Sequence, residues 1–380
     1  MTSKLEELIA ELCPNGVEYK TIGTICETLK KAILKKGELK SEGYPVINSG
    51  RTLYGYYDKY NNEGPAFTVA ARGEYAAFVN YFDKRFWAGG LCYPYKSKDE
   101  SKTLTKFIYY SLKNIQQRIR DGIVAEGSIP ALNKSDFENI KLLVPPLEVQ
   151  REIVRVLDTF TELTAELTAE LTAELTARKK QYEYYRDTLL TFDDNNPLHS
   201  LISRYCPNGV EYKTLKEILT IKNGRDYKHL QEGKYPVYGS GGIMTYVSEY
   251  TYAEQSVLIP RKGSINKIYY VDEPFWNVDT IFYTIIRKNI AIPKYVYFCL
   301  LKERLERYNT AGGVPSLTQS VLNDVKIPVP PLEVQLQIVQ ILDRFDALCN
   351  DLTQGLPAEI EARRKQYEYY RDQLLTFKRA

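Results

Sequence analysis

From Leu147 to Asn196 the chain contains neither Gly nor Pro, and its apolar residues fall at steps of three and four: Ile153, Val156, Leu157, Phe160, Leu163, Leu167, Leu171 and Leu175. That spacing predicts one long amphipathic helix of the coiled-coil kind, with the Pro145-Pro146 pair as punctuation before it. At 1.5 Å per residue, some 45 residues extend about 65 to 70 Å. Elsewhere the pattern is different. Short runs such as QSVLIP (255–260) and NKIYYV (266–271) predict strands, and KYVYFCLLKERLERY (294–308) predicts a helix after them. The fold class is therefore α+β, with α/β modules joined to long helices.

A shift of 185 residues reproduces the helical stripe as Ile338, Ile341, Leu342, Phe345, Leu348, Leu352, Leu356 and Ile360. Gly355 and Pro357 interrupt this second copy, which predicts a kink or break there. The same shift relates VPPLEVQ at 144–150 to 329–335, and RKKQYEYYRDTLLTF at 178–192 to RRKQYEYYRDQLLTF at 363–377. CPNGVEYKT at 13–21 returns at 206–214 with an offset of 193. The internal copy runs without interruption from 144 to 214, whereas the other begins at 329, reaches residue 380 and resumes with residues 1–21. This order is a circular permutation. With its ends close together, the chain would form a closed ring of two equivalent halves about a pseudo-twofold axis, and its two long helices would run antiparallel.

The repeats divide the chain into an N-terminal piece of the second frame (1–21), a first variable module (22–143), a central helical frame (144–214), a second variable module (215–328) and a C-terminal helical frame (329–380). The modules share traces of one fold: GYPVINSG (43–50) against KYPVYGSG (234–241), Phe86-Trp87 against Phe275-Trp276, and GSIPAL (127–132) against GGVPSL (312–317). Charge sorts the same way. The first module has 19 cations against 13 anions, the second 15 against 11, and the remainder 17 against 24, so the overall +3 conceals basic modules on an acidic frame. Basic modules in a chain with 32 Tyr favour a polyanionic partner. The six scattered cysteines include no CxxC pair, which argues against a disulfide framework or zinc site. No apolar run reaches about 18 residues and no secretory leader is evident, so the expected setting is cytoplasmic, with no membrane partner.

VPPLEVQREIVRVLDTF, the three tandem Thr-Ala-Glu-Leu units at 164–175, and ARKKQYEYYRDTLLTF together resemble the specificity subunits of type I restriction-modification enzymes, in the branch that bears TAEL repeats. The resemblance spans the whole chain. It implies two target recognition domains separated by the long helices, and a bipartite double-stranded DNA target with one half-site per domain. It also implies two methyltransferase (modification) subunits and restriction/translocase subunits as partners. S-adenosylmethionine, ATP and Mg are then cofactors of those partners, and this chain is expected to bind none and to have no catalytic site.

The remaining motifs do not contradict that reading. The chain has no Asn/Asp-Pro-Pro-aromatic methyltransferase motif and no phosphate loop. Glu18-Tyr19-Lys20 and Glu211-Tyr212-Lys213 match half of a nuclease metal motif but lack its acidic partner, and His199 and His229 are too few for a triad. Base edges and phosphates are the two things a DNA-reading module must touch. Candidates in the first module are Ser49, Arg51, Tyr54, Tyr56, Arg72, Lys84 and Arg85. In the second they are Tyr238, Ser240 and Tyr246 around a glycine-rich turn, then Arg261, Lys262, Asn266 and Lys267. For the partner interface the two QYEYYRD segments supply Tyr182, Tyr185, Arg186, Tyr367, Tyr370 and Arg371. Two competing readings are a concealed nuclease and a scaffold for proteins only. The TAEL array itself reads as a spacer. Four residues advance a helix by about 6 Å and rotate it by a net 40° or so, so a unit can be gained or lost with the leucine stripe nearly in place. Its row of Glu162, Glu166, Glu170 and Glu174 reads as a solvated face.

Overall fold

The 43-residue helix Leu147–Leu189 is the longest element of the computed structural model, which describes residues 3–309, 311–350 and 356–378. At about 1.5 Å per residue it spans roughly 65 Å. Its end is set by a side chain, since no glycine is available. The carboxamide Nδ2 of buried Asn196 donates to the carbonyls of Thr188 (3.2 Å), Leu189 (3.1 Å) and Thr191 (2.6 Å) and so satisfies the acceptors left over at the helix terminus. The row Glu162, Glu166, Glu170 and Glu174 is exposed, and only Glu174 has a helical counter-ion, Arg178 at 3.3 Å.

Two compact units divide the chain: residues 1–170 with 360–380, and residues 171–359. In the first unit, strands Cys26–Thr28, Cys92–Ser97, Ala66–Ala70 and Val79–Phe82 form an antiparallel sheet in that order. Strands Gly55–Tyr57, Tyr44–Ile47 and Trp87–Ala88 form a second sheet, whose last pair is parallel. Helix Thr105–Ile123 packs on the larger sheet, burying Ile108 and Leu112 against Phe67, Val69 and Phe137. Strand Tyr19–Thr21 pairs with Lys141–Leu143 and ties the module to its frame.

The second unit repeats this topology. Its larger sheet has the order Leu219–Lys222, Ile281–Ile286, Ser256–Pro260, Tyr269–Val271, and its smaller one Gly242–Val247, Glu232–Gly239, Trp276–Asn277, again with a parallel last pair. Tyr212–Thr214 pairs with Lys326–Pro328. The indole N–H of Trp87 donates to the Ala32 carbonyl (3.1 Å), and that of Trp276 donates to the Arg225 carbonyl (3.0 Å). The second module helix is shorter than its sequence predicts. It covers Pro293–Glu303 and stops where Arg304 adopts a left-handed conformation, with a 3-10 turn, Leu305–Tyr308, after it.

The permuted frame is visible inside each unit. In the first, Leu5, Cys13 and Val17 share a core with Val149, Ile153, Leu157 and Leu374, and the Val17 N–H donates to the Lys378 carbonyl at 3.1 Å. The N-terminal helical segment and the stretch after helix Leu356–Leu374 thus meet. Phe160 stacks on Tyr370 (centroids 5.7 Å apart) and Thr161 meets the Tyr367 hydroxyl at 3.0 Å, so the helical segments here run antiparallel. In the second unit Phe345 stacks on Tyr185 at 5.1 Å. Adding 185 to Phe160 and Tyr185 gives Phe345 and Tyr370, so one contact is made twice with its partners taken from opposite ends of the repeat.

The leucine stripe is less uniformly covered than its spacing predicts. Ile153, Leu157, Ile338 and Leu342 are fully buried, whereas Leu163 is 54% exposed beside a shallow groove lined by Arg363 and Tyr367. In the second copy one helix ends at Asn350 and the next begins at Leu356, with Pro357 in its first turn. Gly355 and Leu352 lie outside the described residues, as do the side chains of Leu348 and Leu356.

Candidate nucleic-acid interface

Strand pairing fixes which residues of the two modules are equivalent. The loop after strand Ala66–Ala70 and the loop after Ser256–Pro260 are held by the same three backbone bonds. Ala71 N–H donates to Leu91 O and Arg261 N–H to Thr280 O; Gly73 N–H donates to Pro130 O and Gly263 N–H to Pro315 O. Leu132 and Leu317 return the connection by donating to Ala71 O and Arg261 O. Bridges Arg72 to Ala131 and Lys262 to Ser316 complete the match, so Arg72 is the counterpart of Lys262. The GSIPAL and GGVPSL motifs are therefore the seats on which these loops rest. Each loop then turns at a glycine with positive φ, 92° at Gly73 and 81° at Gly263, a conformation that any L side chain would strain. Both modules consequently hold one exposed cation on a braced turn.

The two hairpin strands next to this loop are also equivalent. Tyr56 stands opposite Pro45, and Tyr246 stands opposite Pro236; the two rings are 37% and 49% exposed. Tyr54 lies on the same face as Tyr56, and Met244 sits two residues before Tyr246 where the strand pairing is irregular, all of them exposed. Ser49 is half-buried beside Gly50, whose carbonyl accepts from Asn80 Nδ2 at 3.4 Å. The Arg51 guanidinium lies over the Tyr75 ring at 4.8 Å, which brings Arg51 to the Arg72 loop. In the second module Tyr269 donates to the Ser240 carbonyl at 3.3 Å, and Tyr238 packs against Tyr269 and Phe275. Tyr238 is therefore partly a packing residue.

Lys84 and Arg85 are separated from this group. The Gly64 N–H donates to the Lys84 carbonyl, which places both beyond the far end of strand Ala66–Ala70 from Arg72, a strand that itself spans about 13 Å. They line an open cleft of about 670 Å³ with Gly43, Tyr44 and Glu63. Arg85 is already engaged, with Glu63 at 2.8 Å and the Tyr60 ring at 4.6 Å. Arg261 is half-buried near the Phe282 ring at 6.0 Å, so Lys262 is the exposed cation of its turn. Asn266 and Lys267 are exposed a few residues further on, Asn266 in a groove with Glu183 and Arg304.

Lys113 joins this candidate group, and pattern reading does not find it. Its Nζ lies 3.9 Å from the Phe78 ring centre, and Arg51 approaches the same ring at 5.8 Å. Burial first, and the neighbouring Arg371 and Arg51 charges next, push the Lys113 ammonium down to about 8. Its counterpart in sequence is apolar, so no repeat signal points to it.

In the QYEYYRD segments, Tyr182 and Arg186 are each 7% exposed, with Arg186 held by Asp187 at 2.8 Å. Burial corrects the expectation that these two face a partner directly. Tyr185 and Tyr370 are the stacking partners of Phe345 and Phe160, Tyr367 is half-buried, and Arg371 pairs with Asp372 at 2.7 Å. The open faces belong to Tyr184 (67%), Tyr369 (61%) and Tyr370 (44%).

The Glu-Tyr-Lys segments are frame strands; Lys213 pairs with Glu211 at 2.8 Å. Among the described residues no group of three or more His, Cys, Asp or Glu stands close enough to hold a metal ion, and none of the helices is long and apolar enough to cross a membrane. Burial pushes the thiols of Cys26, Cys92 and Cys299 up to about 12, consistent with inert packing residues.

Comparison with known proteins agrees with this layout. The model of the type I restriction modification DNA specificity domain matches residues 14–177 and 207–362. A Haemophilus influenzae protein provisionally assigned as a type I restriction enzyme specificity subunit is 32% identical, over 95% of this chain and 96% of its own length. An Escherichia coli type I restriction enzyme specificity subunit is also 32% identical, over 95% and 94%. A solved structure concerned with complex assembly and conformational transition of the type I restriction-modification system aligns with a TM-score of 0.63 at 15% identity, over 95% of this chain and 98% of the other, and supports the fold. With two matched segments, a duplicated module and a permuted helical frame, the chain belongs to the family of type I restriction-modification DNA specificity subunits.

Proposed function

We propose that the chain is a non-catalytic reader of a bipartite double-stranded DNA target, with residues 22–143 reading one half-site and 215–328 the other. The observation that carries this reading is the structural equivalence of Arg72 and Lys262, each exposed on a braced turn beside a hairpin with exposed rings. In this reading those cations hold phosphate, while Tyr54, Tyr56, Met244, Tyr246 and the Ser49 and Ser240 turns face the groove. Arg51 and Lys113 add a second cationic point in the first module, and Lys84 and Arg85 are peripheral.

The helix Leu147–Leu189 serves as the spacer that sets the gap between half-sites. Two methyltransferase subunits dock on the repeated frame through Tyr184, Tyr369 and Tyr370. They supply S-adenosylmethionine chemistry, and restriction/translocase subunits supply ATP- and Mg-dependent steps. The test is exchange of residues 215–328 for those of another specificity subunit, with methylated sites mapped across a host genome. One half of the target should change and the other persist; a change in both halves, or in neither, overturns the proposal.

A further inference from the structure

Besides the strand pairs of Tyr19–Thr21 with Lys141–Leu143 and of Tyr212–Thr214 with Lys326–Pro328, the long frame helices grip each module through polar side chains at two points, and the two grips are copies of one another. Gln150, fully buried at the end of VPPLEVQ, donates from Nε2 to the carbonyls of Pro145 (2.7 Å) and Lys102 (3.0 Å). Its Oε1 accepts the Leu104 N–H at 2.9 Å, and Leu104 is the residue that opens module helix Thr105–Ile123. Gln335 repeats this, with Nε2 on Pro330 O (2.7 Å) and Ile290 O (3.0 Å) and Oε1 accepting Ile292 N–H (2.9 Å) at the start of Pro293–Glu303. Each carboxamide has both donors and its acceptor engaged, so its orientation is fixed.

Eight residues further along the frame helix comes the second point. Asp158 holds Lys106 Nζ at 2.8 Å and Tyr110 Oη at 2.6 Å, and Asp343 holds Lys294 Nζ at 2.8 Å. Each lysine also lies over a ring of the module sheet, Lys106 over Tyr81 (5.3 Å) and Lys294 over Tyr270 (5.4 Å). The Tyr110 hydroxyl has no counterpart in the second module, where Phe298 occupies the equivalent place in the helix.

With the strand pair as one tie, the two further attachments, about 12 Å apart along the helix, fix the angle between module and helix. The angle matters because of leverage. A module of about 120 residues has a radius of gyration of roughly 14 Å, so its far side stands on the order of 30 Å from its seat. At that radius a swing of about 6 to 7° moves it by the ~3.4 Å rise of one base pair. We infer that Gln150 with Asp158, and Gln335 with Asp343, are positioning residues that set how strictly the gap between half-sites is read. The inference rests on the bipartite reading proposed above.

The test uses the full-length chain assembled with its modification subunits, methylating three duplexes that share both half-sites and have the native gap or a gap one base pair shorter or longer. Mismatched gaps must be absorbed by deforming DNA or protein, so the unsubstituted chain should favour the native gap by on the order of tenfold. Gln150→Ala and Gln335→Ala should each reduce that preference to about threefold or less. Their preference among base substitutions within each half-site should stay as it was. Asp158→Asn and Asp343→Asn, which keep shape and remove the ion pair, should narrow the preference to a smaller degree, and Asp158→Glu should preserve more of it than Asp158→Asn. A merely structural role would lower activity on all three duplexes in proportion and leave the ratio unchanged. That outcome overturns the inference, and the Asp variants decide it if the Gln variants do not fold. If the unsubstituted chain itself shows no preference among gaps, the spacer reading fails, and the inference falls with it.

Discussion

Removing the Arg72 guanidinium is the sharpest local probe of the proposed interface, because the structure supplies its own control. Arg72 is exposed, forms no ion pair with a carboxylate among the described residues, and sits on a turn braced by backbone bonds to Leu91, Pro130 and Leu132. Arg85 carries the same charge but is held by Glu63 and the Tyr60 ring. A phosphate contact by Arg72 releases about one counterion, so Arg72→Ala should flatten the slope of log K against log salt by about 0.9. Over a fourfold rise in salt, that amounts to roughly a 3.5-fold smaller loss of affinity. At physiological salt the variant should bind its target about 5- to 30-fold more weakly, or about 1 to 2 kcal/mol. Arg85→Ala should cost less than about threefold, since its charge is already partly neutralised by Glu63. Fluorescence anisotropy on a labelled duplex, with the chain assembled with its modification subunits, reads both quantities. If Arg72→Ala left affinity and slope unaltered while Arg85→Ala lowered both, the assignment of the braced turns to DNA would be wrong.

Two further outcomes follow from the same geometry. Because the Lys113 ammonium titrates near 8 in the folded chain and at its ordinary value when unfolded, the folded state disfavours its charge, and the penalty is fully present below pH 8. Lys113→Met should therefore raise stability at pH 7 by about 1 to 3 kcal/mol, an advantage that shrinks as pH rises from 8 towards 10.5; denaturant melts at pH 7, 9 and 10 measure it, and a constant difference would refute the cause. At the frame, Tyr184→Ala and Tyr369→Ala should each weaken one of two modification-subunit sites by about 1 kcal/mol or more while leaving melting within roughly 0.5 kcal/mol, as expected for exposed rings. Native mass spectrometry should then show complexes with one modification subunit accumulating.

The long helix and the duplicated frame were legible in the sequence because period and repeat are written in side chains that stand alone: a run without Gly or Pro, apolar steps of three and four, and identical strings 185 residues apart. The equivalence of Arg72 and Lys262 was not. It depends on which strands pair, and the two modules have diverged around it, with AARG in one and PRKG in the other. Gln150, Gln335, Asp158 and Asp343 carried a signal that apolar patterning passes over, since polar residues repeated at the helix offset mark shared contacts as surely as leucines do. Tyr182 and Arg186 show the opposite error. A repeated aromatic motif reads as a surface, but 3.6-residue periodicity turns two of its members into the core. The end of the spacer at Leu189 was hidden too, because Asn196 caps it from seven residues away.

The central claim, that a helical spacer separates two independent DNA-reading modules, is tested most directly by mapping methylated adenines in cells that express the chain with its modification partner, before and after deletion of one TAEL unit. Deletion removes four residues, about 6 Å of helix against a base-pair rise of about 3.4 Å. The account predicts a two-part target whose half-sites are identical in both strains and whose gap is shorter by one or two base pairs after the deletion. An undivided target, or an unchanged gap with altered half-sites, would contradict it.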